Sequence, residues 1–149
     1  MATLDLTQAE ADALFAMPKR RVCDDEVLYP GTGGKVCLPL VSVDGREDFL
    51  LDVRRGRIDL RKGTYQTRAR QVITLVRMDF GGAAHRNPDN EEIPSPHLHL
   101  YREGYGDKWA IPVPVNEFPN LGDIWQTLMD FFGYCNVVEP PNMDRGLFA

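Results

Sequence analysis

The side chains best suited to chemistry in this sequence are three histidines: His85, and the pair His97 and His99 in the segment PHLHLYREGYG at residues 96–106. Alternate side chains of a strand point to the same side, at steps of about 7 Å. The spacing therefore predicts one polar strand face formed by His97, His99, Tyr101 and Glu103. Three kinds of site are compatible with such a face: a proton-transfer site, a metal site and a binding surface.

A proton-transfer site would suit the metal-free cleavage of RNA. One histidine would take the proton of the 2′-hydroxyl, another would protonate the leaving oxygen, and a cation would stabilise the charge that develops on phosphorus. The candidate catalytic residues are His85, His97, His99 and Tyr101. The candidate cations are Arg54, Arg61, Lys62 and Arg102. The second His-x-Ser/Thr motif of the two-histidine phosphoesterases is absent from the sequence.

A metal site would use the same strand face. Imidazoles two residues apart can reach one ion, with a third protein ligand and an open fourth position, as in catalytic zinc sites. This hypothesis assigns zinc to His97, His99 and Glu103, with His85 as an alternative third ligand. The His-x-His-x3-Glu spacing is similar to the first metal motif of cupins, but the flanking glycines and a second histidine motif are missing. The main expectation is therefore that the protein binds no cofactor, with zinc as the alternative.

The histidines also have a purely structural interpretation. On a solvated or hydrogen-bonded strand face, imidazoles pack against an aromatic neighbour such as Tyr101 and donate hydrogen bonds to nearby loop carbonyls. The loop around residues 87–89 would supply those carbonyls.

A binding surface is indicated by the distribution of charge. The net charge is −5, but residues 54–86 contain nine basic and only two acidic side chains, and both flanking segments are acidic. Such a block is typical of a phosphate-binding face, or of charges that neutralise each other on neighbouring strands. Arginine and aromatic side chains are frequent anchors of interfaces. The candidate binding residues are Arg54, Arg55, Arg57, Arg61, Lys62, Arg102, Tyr105 and Trp109.

Helices are predicted near both ends of the chain. Thr7 and Glu10 form a capping box that opens the first helix, and Pro18 ends it. The second begins at the cap residue Asn120, carries a broad apolar stripe suited to covering a sheet, and stops at Gly133.

Alternating apolar residues between the helices predict strands. Asp44-Gly45 is typical of a two-residue hairpin turn and joins strands at 36–43 and 49–53. Pro39 cannot donate to a ladder, which predicts an edge position for the first of these strands. Further strands are expected at 57–60, 71–80, 97–103 and 109–115, and residues 63–70 are expected to form either a wide hairpin or an irregular extension. The most apolar strand, 71–80, should be central, and the prolines of 109–115 predict a second edge.

The predicted fold class is α+β, with a mainly antiparallel sheet of five or six strands packed against an N-terminal and a C-terminal helix. Residues 1–149 should form a single domain, with 137–149 as an extended tail. The sequence lacks a signal peptide and a long apolar run, which predicts a cytoplasmic protein. Three widely spaced cysteines predict reduced, mostly buried thiols.

The stretch HRNPDNEEIPSPHLHLYREGYGDKWA resembles a small bacterial and phage-associated family of unknown function, and the resemblance extends over 49–110. It implies a setting in mobile genetic elements, where toxin–antitoxin pairs and inhibitors of host defence are common. The first functional hypothesis is thus a defence inhibitor or toxin–antitoxin component. Its binding partner would be either a nucleic acid or a host protein or nucleoprotein complex that processes nucleic acid. The alternatives are a His-dependent, metal-free ribonuclease toxin and a metal-dependent enzyme.

Overall fold

The computed structural model describes residues 5–59 and 61–146. Two helices pack on a large, mainly antiparallel sheet, so the fold is α+β. Helix α1 spans Gln8–Ala16 and begins at the capping box of Thr7 and Glu10. Helix α2 spans Ile124–Tyr134, and the Asp123 side chain, rather than Asn120, caps its first turn.

The described residues contain twelve strands besides the two helices. The first six are β1 (Lys19–Arg21), β2 (Glu26–Leu28), β3 (Lys35–Ser42), β4 (Asp48–Arg55), β5 (Gly63–Ala69) and β6 (Ile73–Phe80). The others are β7 (His85–Arg86), β8 (Glu92–Ile93), β9 (His97–Leu100), β10 (Ala110–Pro112), β11 (Val137–Glu139) and β12 (Asn142–Asp144).

Eight of these strands form one sheet in the order β10-β9-β6-β5-β4-β3-β1-β11. All neighbours in it are antiparallel except β1 and β11, which run parallel. Strands β2 and β12 form a small parallel pair, and β7 and β8 a short hairpin within the loop that precedes β9. The sheet is larger than the five or six strands predicted, because β1 and β11 are three-residue strands with little apolar periodicity.

Three strand predictions need correction. Strand β3 is interior, not an edge: β1 pairs only with its residues 40–42, so Pro39 lies just beyond that ladder. The predicted strand at 57–60 is a bend over its described residues, and Leu60 lies outside them. The segment 63–70, predicted as a wide hairpin or an irregular extension, contains β5, a strand in the middle of the sheet whose pairing with β6 shifts register between Thr67 and Arg68.

The C-terminal segment is also more ordered than a tail. Strand β11 extends the main sheet and β12 pairs with β2, so residues 137–144 bind both strands that follow helix α1. The predicted edge strand near the prolines is confirmed, since β10 closes the other side of the sheet.

The two faces of the sheet differ in polarity. One packs against the helices and carries the largest part of the core, including Leu51, Tyr65, Met78 and Leu98 from the strands and Phe131 from α2. The opposite face receives the polar alternate residues of β4, β5, β6 and β9. These polar residues are Asp52, Arg54, Thr64, Gln66, Arg68, Arg77, Asp79, His97 and His99.

The three cysteines are free thiols, but Cys23 and Cys37 are exposed and only Cys135 is buried, so the prediction of mostly buried thiols was wrong. Neither helix in the described part of the chain has the length and apolar character needed to cross a membrane.

Candidate functional site

Strand register assembles a cluster of charged and imidazole side chains on the polar face. In the β6–β9 ladder, Arg77 lies opposite His99 and Asp79 lies opposite His97. The rings of His97 and His99 are 5.0 Å apart between centroids, which confirms that the two alternate residues project to the same side. Both imidazoles are almost completely buried, so this face is not solvated at the two histidines, whereas the alternative of a hydrogen-bonded face agrees with the contact of His99 to the Asp107 carbonyl.

His99 makes three polar contacts. Its Nδ1 lies 2.8 Å from the Asp107 carbonyl oxygen, which can only accept, so Nδ1 carries a proton. Its Nε2 lies 3.1 Å from the Arg77 Nη2 and 3.2 Å from the Asp79 Oδ2. One ring nitrogen therefore faces an obligate donor and an obligate acceptor at the same time.

His97 is held more loosely. Its Nε2 is 3.5 Å from the Asp79 Oδ2, and its buried Nδ1 has no hydrogen-bond partner of ordinary geometry among the described residues. Burial lowers the pKa of His97, with a further contribution from His99; the Asp79 carboxylate and the Pro94 carbonyl oppose this shift. The imidazole is accordingly neutral at pH 7.

His85 completes a group of three imidazoles. It enters from β7, and its ring centroid lies 4.5 Å from that of His99 and 5.8 Å from that of His97. Its Nε2 donates to the Lys108 carbonyl oxygen at 2.8 Å, which leaves Nδ1 unprotonated in the neutral ring. The carbonyls that orient the histidines thus belong to residues 107 and 108, not to the loop at 87–89.

Asp79 is the charged centre of the cluster. Its Oδ1 accepts a hydrogen bond from Thr64 Oγ1 at 3.0 Å, and its Oδ2 faces both histidines and the Arg77 Nε. Burial by itself raises the pKa of this carboxyl, but the hydrogen bond from His99 and the Arg77 charge outweigh that effect and hold the pKa at about 2. Asp79 is therefore ionised at neutral pH.

Sequence reasoning missed Asp79, Arg77 and Asp107. Arg77 connects the other two, because its Nη1 bonds the Asp107 Oδ2 at 2.7 Å. The sequence could have indicated two of these residues. Arg77 and Asp79 are two positions apart in the most apolar strand, so both side chains lie on the face that points away from the core. Which histidine each would meet depends on the β6–β9 register, which the sequence does not reveal.

The structure separates two other candidates from the histidines. Strand β9 ends at Leu100, and the Tyr101 hydroxyl donates to the Leu6 carbonyl and accepts from the Leu6 amide in the core. The Glu103 carboxylate accepts a hydrogen bond from the Gln8 amide at the start of α1. Neither residue belongs to the group of possible metal ligands, which consists of Asp79, His97 and His99.

A cavity of about 320 Å³ adjoins the cluster. His97 and Asp79 form one part of its wall, and basic residues of the β4–β5 region and the turn after β6 form the rest. Its lining residues are Arg54, Arg55, Gly56, Lys62, Gly63, Thr64, Asp79, Gly81, Gly82, Ala83 and His97. The cavity therefore joins positive charge to an imidazole and a carboxylate.

The predicted basic binding residues do not all reach the surface. Arg54, Arg57, Arg61 and Lys62 are exposed, whereas Arg55 is buried against the Tyr29 ring and donates to the Pro30 carbonyl. Part of the basic block is neutralised within the sheet. Arg68 pairs with Asp52 at 2.7 Å, and Arg77 pairs with Asp79 and Asp107.

The three remaining binding candidates form a separate aromatic group. The Arg102 guanidinium lies 4.1 Å from the centre of the Trp109 ring, and Tyr105 meets that ring edge-on at 5.7 Å. Tyr105 and Arg102 are exposed. Because residues 107 and 108 also orient the histidines, one turn supports both the aromatic group and the imidazole cluster.

Comparisons with known proteins bear on the whole chain. No curated protein and no solved structure matches it. A family model does match, over residues 6–137, which include both helices, the cluster and the cavity. The chain therefore belongs to a family of unknown function, DUF6978.

Proposed function

We propose that this protein binds a nucleic-acid backbone, with one phosphate in the cavity beside His97 and Asp79. The main observation behind the proposal is that Arg54 and Lys62 line the same open pocket as His97 of the imidazole cluster. In the setting suggested by the bacterial and phage-associated resemblance, the protein acts as a defence inhibitor or toxin–antitoxin component on a nucleic acid or on a host complex that processes it.

The pocket has the chemistry that phosphate requires. Guanidinium and ammonium groups bind phosphate oxygens by charge-assisted hydrogen bonds. Arg54 and Lys62 are exposed and form no ion pair with any residue in 5–59 or 61–146, so both charges are available to a ligand. The polar Thr64 hydroxyl lies in the same wall, although it already donates to Asp79.

Two glycines bring Lys62 close to the turn after β6. Gly81 and Gly82 both have positive φ, and a Cβ atom on Gly81 would lie 2.8 Å from the Lys62 Cα. A Cβ on Gly82 would lie 3.1 Å from the Lys62 Cε. The lysine side chain therefore packs over a surface that only glycine leaves free, which limits the positions that its ammonium group can take.

The test is binding of a short single-stranded RNA, measured by fluorescence anisotropy at several salt concentrations. Each phosphate contact adds about 0.7 to the slope of log affinity against log salt for a single strand. We expect the double variant Arg54→Gln/Lys62→Gln to bind at least roughly 10-fold more weakly and to show a shallower slope. Both effects follow from the loss of two cations at one phosphate.

The matched control is Arg46→Gln. Arg46 is also exposed, but it lies in the β3–β4 turn, about 20 Å along β4 from Arg54. This variant should bind as the wild type does. Equal weakening by Arg46→Gln and by each single pocket variant, Arg54→Gln or Lys62→Gln, would mean that the affinity depends only on net charge. An affinity that does not change with salt would exclude the phosphate site.

Cleavage of the bound RNA is a second candidate function, favoured by the presence of His97 in the pocket wall and of His85 beside it. An imidazole next to a bound phosphate is positioned to move a proton to or from the ester oxygens. We expect purified protein to cleave RNA in the presence of EDTA, and His97→Ala to abolish cleavage with an unchanged circular dichroism spectrum. Intact RNA after prolonged incubation with wild-type protein would contradict this candidate.

A further inference from the structure

We propose that Asp79, His97 and His99 form a binding site for one zinc ion at the wall of the cavity. The zinc ligands differ from the phosphate-binding residues Arg54 and Lys62. The zinc proposal and the phosphate proposal can therefore be tested, and refuted, separately. The acidic ligand is Asp79 from β6, and not Glu103, which the His-x-His-x3-Glu spacing of the sequence predicted.

The distances between the ligand atoms match a tetrahedral ion. Zinc binds imidazole nitrogen and carboxylate oxygen at about 2.0–2.1 Å, which separates tetrahedral ligand atoms by roughly 3.3 Å. The Asp79 Oδ2 lies 3.2 Å from the His99 Nε2 and 3.5 Å from the His97 Nε2. The ligand atoms of the three residues all lie within 4.8 Å of one another, so side-chain movements can bring all three onto one ion.

The contact between His99 and Asp79 marks the position of the cation. The His99 Nε2 and the Asp79 Oδ2 lie 3.2 Å apart and are joined by the hydrogen bond described above. Zinc bound to both atoms would take the place of the bridging proton, which is released on metal binding, while Nδ1 keeps its bond to the Asp107 carbonyl. The Arg77 Nη2, 3.1 Å from Nε2, would give up that contact and keep the Nη1 bond to Asp107.

The Nδ1 bond also has the form typical of metal-binding histidines. Such residues usually donate their other ring proton to a carbonyl or carboxylate, which fixes the ring and directs the free nitrogen at the metal. The Asp107 carbonyl does this for His99 at 2.8 Å. The backbone that receives this bond is the same turn that receives the bond from His85.

His97 supports the same assignment. His97 is 3% exposed, and its Nε2 lies 3.5 Å from the same Asp79 oxygen that His99 contacts. Zinc bound to Nε2 would join these three atoms without moving the ring from the wall of the cavity. The buried Nδ1 would keep the approach of the Pro94 carbonyl that it has without metal.

The local charge favours a cation as well. Asp79 and Asp107 carry two negative charges, and Arg77, which bonds both, supplies one positive charge. The half-buried cluster therefore has an excess of one negative charge when its histidines are neutral. Two imidazoles and one carboxylate suit zinc or another divalent transition metal better than magnesium or calcium, which prefer oxygen ligands.

The experiment measures zinc itself. Purified full-length chain is stripped with EDTA, reloaded with zinc chloride, dialysed and analysed for metal by mass spectrometry, and cobalt(II) is titrated in parallel to observe visible bands of a tetrahedral site. We expect about one zinc per chain in the wild type. His99→Ala and Asp79→Asn should each weaken zinc binding by at least roughly 100-fold, more than a lost outer hydrogen bond would.

Glu103→Gln is the matched control, because it removes the acidic residue closest in sequence to the two histidines but outside the proposed ligand group. It should keep full zinc occupancy. Thermal unfolding with and without zinc checks that the variants fold, and zinc should raise the midpoint of the wild type and of Glu103→Gln only. The proposal is overturned if the wild type retains no zinc, or if Asp79→Asn binds zinc as tightly as Glu103→Gln does.

Discussion

Replacing Lys19 by methionine is expected to lower the free energy of unfolding by about 3 kcal/mol, since a buried cation with several partners would be lost. Lys19 is completely buried. Its Nζ donates to the carbonyl oxygens of Phe15, Met17 and Cys135 at 2.8–2.9 Å. The ammonium group thus joins the C-terminal ends of both helices, where partial negative charge accumulates.

Methionine fills a similar volume but donates no hydrogen bond. The three carbonyls would lose their partner, and the ammonium would no longer lie 4.9 Å from the centre of the Phe49 ring. Urea denaturation followed by circular dichroism measures the loss. Lys35→Met is the control, because Lys35 is exposed on β3 and its replacement should change stability by less than about 0.5 kcal/mol. A Lys19→Met loss below that of the control would contradict the assignment.

The same residue predicts a pH dependence. Burial lowers the pKa of Lys19 from 10.5 to about 8. Between these two values the unfolded chain binds more protons at this position than the folded chain, so the contribution of Lys19 to stability rises with pH. The difference in unfolding free energy between wild type and Lys19→Met should therefore be larger at pH 10 than at pH 7.5. An unchanged or smaller difference at pH 10 would refute the shift.

A second large effect is expected for Gly63→Ala, which should destabilise the fold by about 3 kcal/mol through overpacking. Gly63 begins β5 and pairs with Arg55 on β4 and with Phe80 on β6. A Cβ atom there would lie 2.6 Å from the Arg54 carbonyl oxygen and 2.6 Å from the Phe80 Cζ. The clash includes backbone on one side and a packed ring on the other, so a rotamer change cannot relieve it.

Gly31→Ala is the control for this substitution. A Cβ atom on Gly31 would point into open space, with nothing within 4 Å, and the residue has no positive φ, so its replacement should be neutral or slightly stabilising. Adding Phe80→Leu to Gly63→Ala should restore only part of the lost stability, because the Arg54 carbonyl remains in place. Wild-type stability in Gly63→Ala alone would mean that β4 and β5 can separate at this point.

The sequence predicted correctly those features that depend on residues close together in the chain, such as helix caps and turns. The capping box at Thr7 and the turn at Asp44-Gly45 both lie where expected, because each depends on residues a few positions apart. The connection between β3 and β4 covers residues 43–47, however, and is longer than the two-residue turn predicted. The alternation in 97–99 correctly placed His97 and His99 together, but it failed beyond β9, where the chain leaves the strand and Tyr101 turns into the core. Periodicity holds only as far as the strand does.

Long-range pairing accounts for what could not be predicted. Strand β1 has only three residues and is basic, so nothing in its composition indicates a partner more than a hundred residues away. The position of Asp79 against the histidines likewise depends on the register between β6 and β9. A shift of one residue would reverse which side chains of β9 share the polar face, and the burial of Leu98 in the core selects the observed register.

The pairing of β11 with β1 and of β12 with β2 has a consequence for the order of folding, because each pair joins segments more than a hundred residues apart. Contacts between residues so distant in sequence cost more loop-closure entropy than the hairpins of β3 to β6. Before these two pairs form, the flank of the sheet at β1 has no neighbour beyond it and is an open template for other strands. Binding of chaperones during folding should therefore concentrate on this flank and end when β11 and β12 have paired.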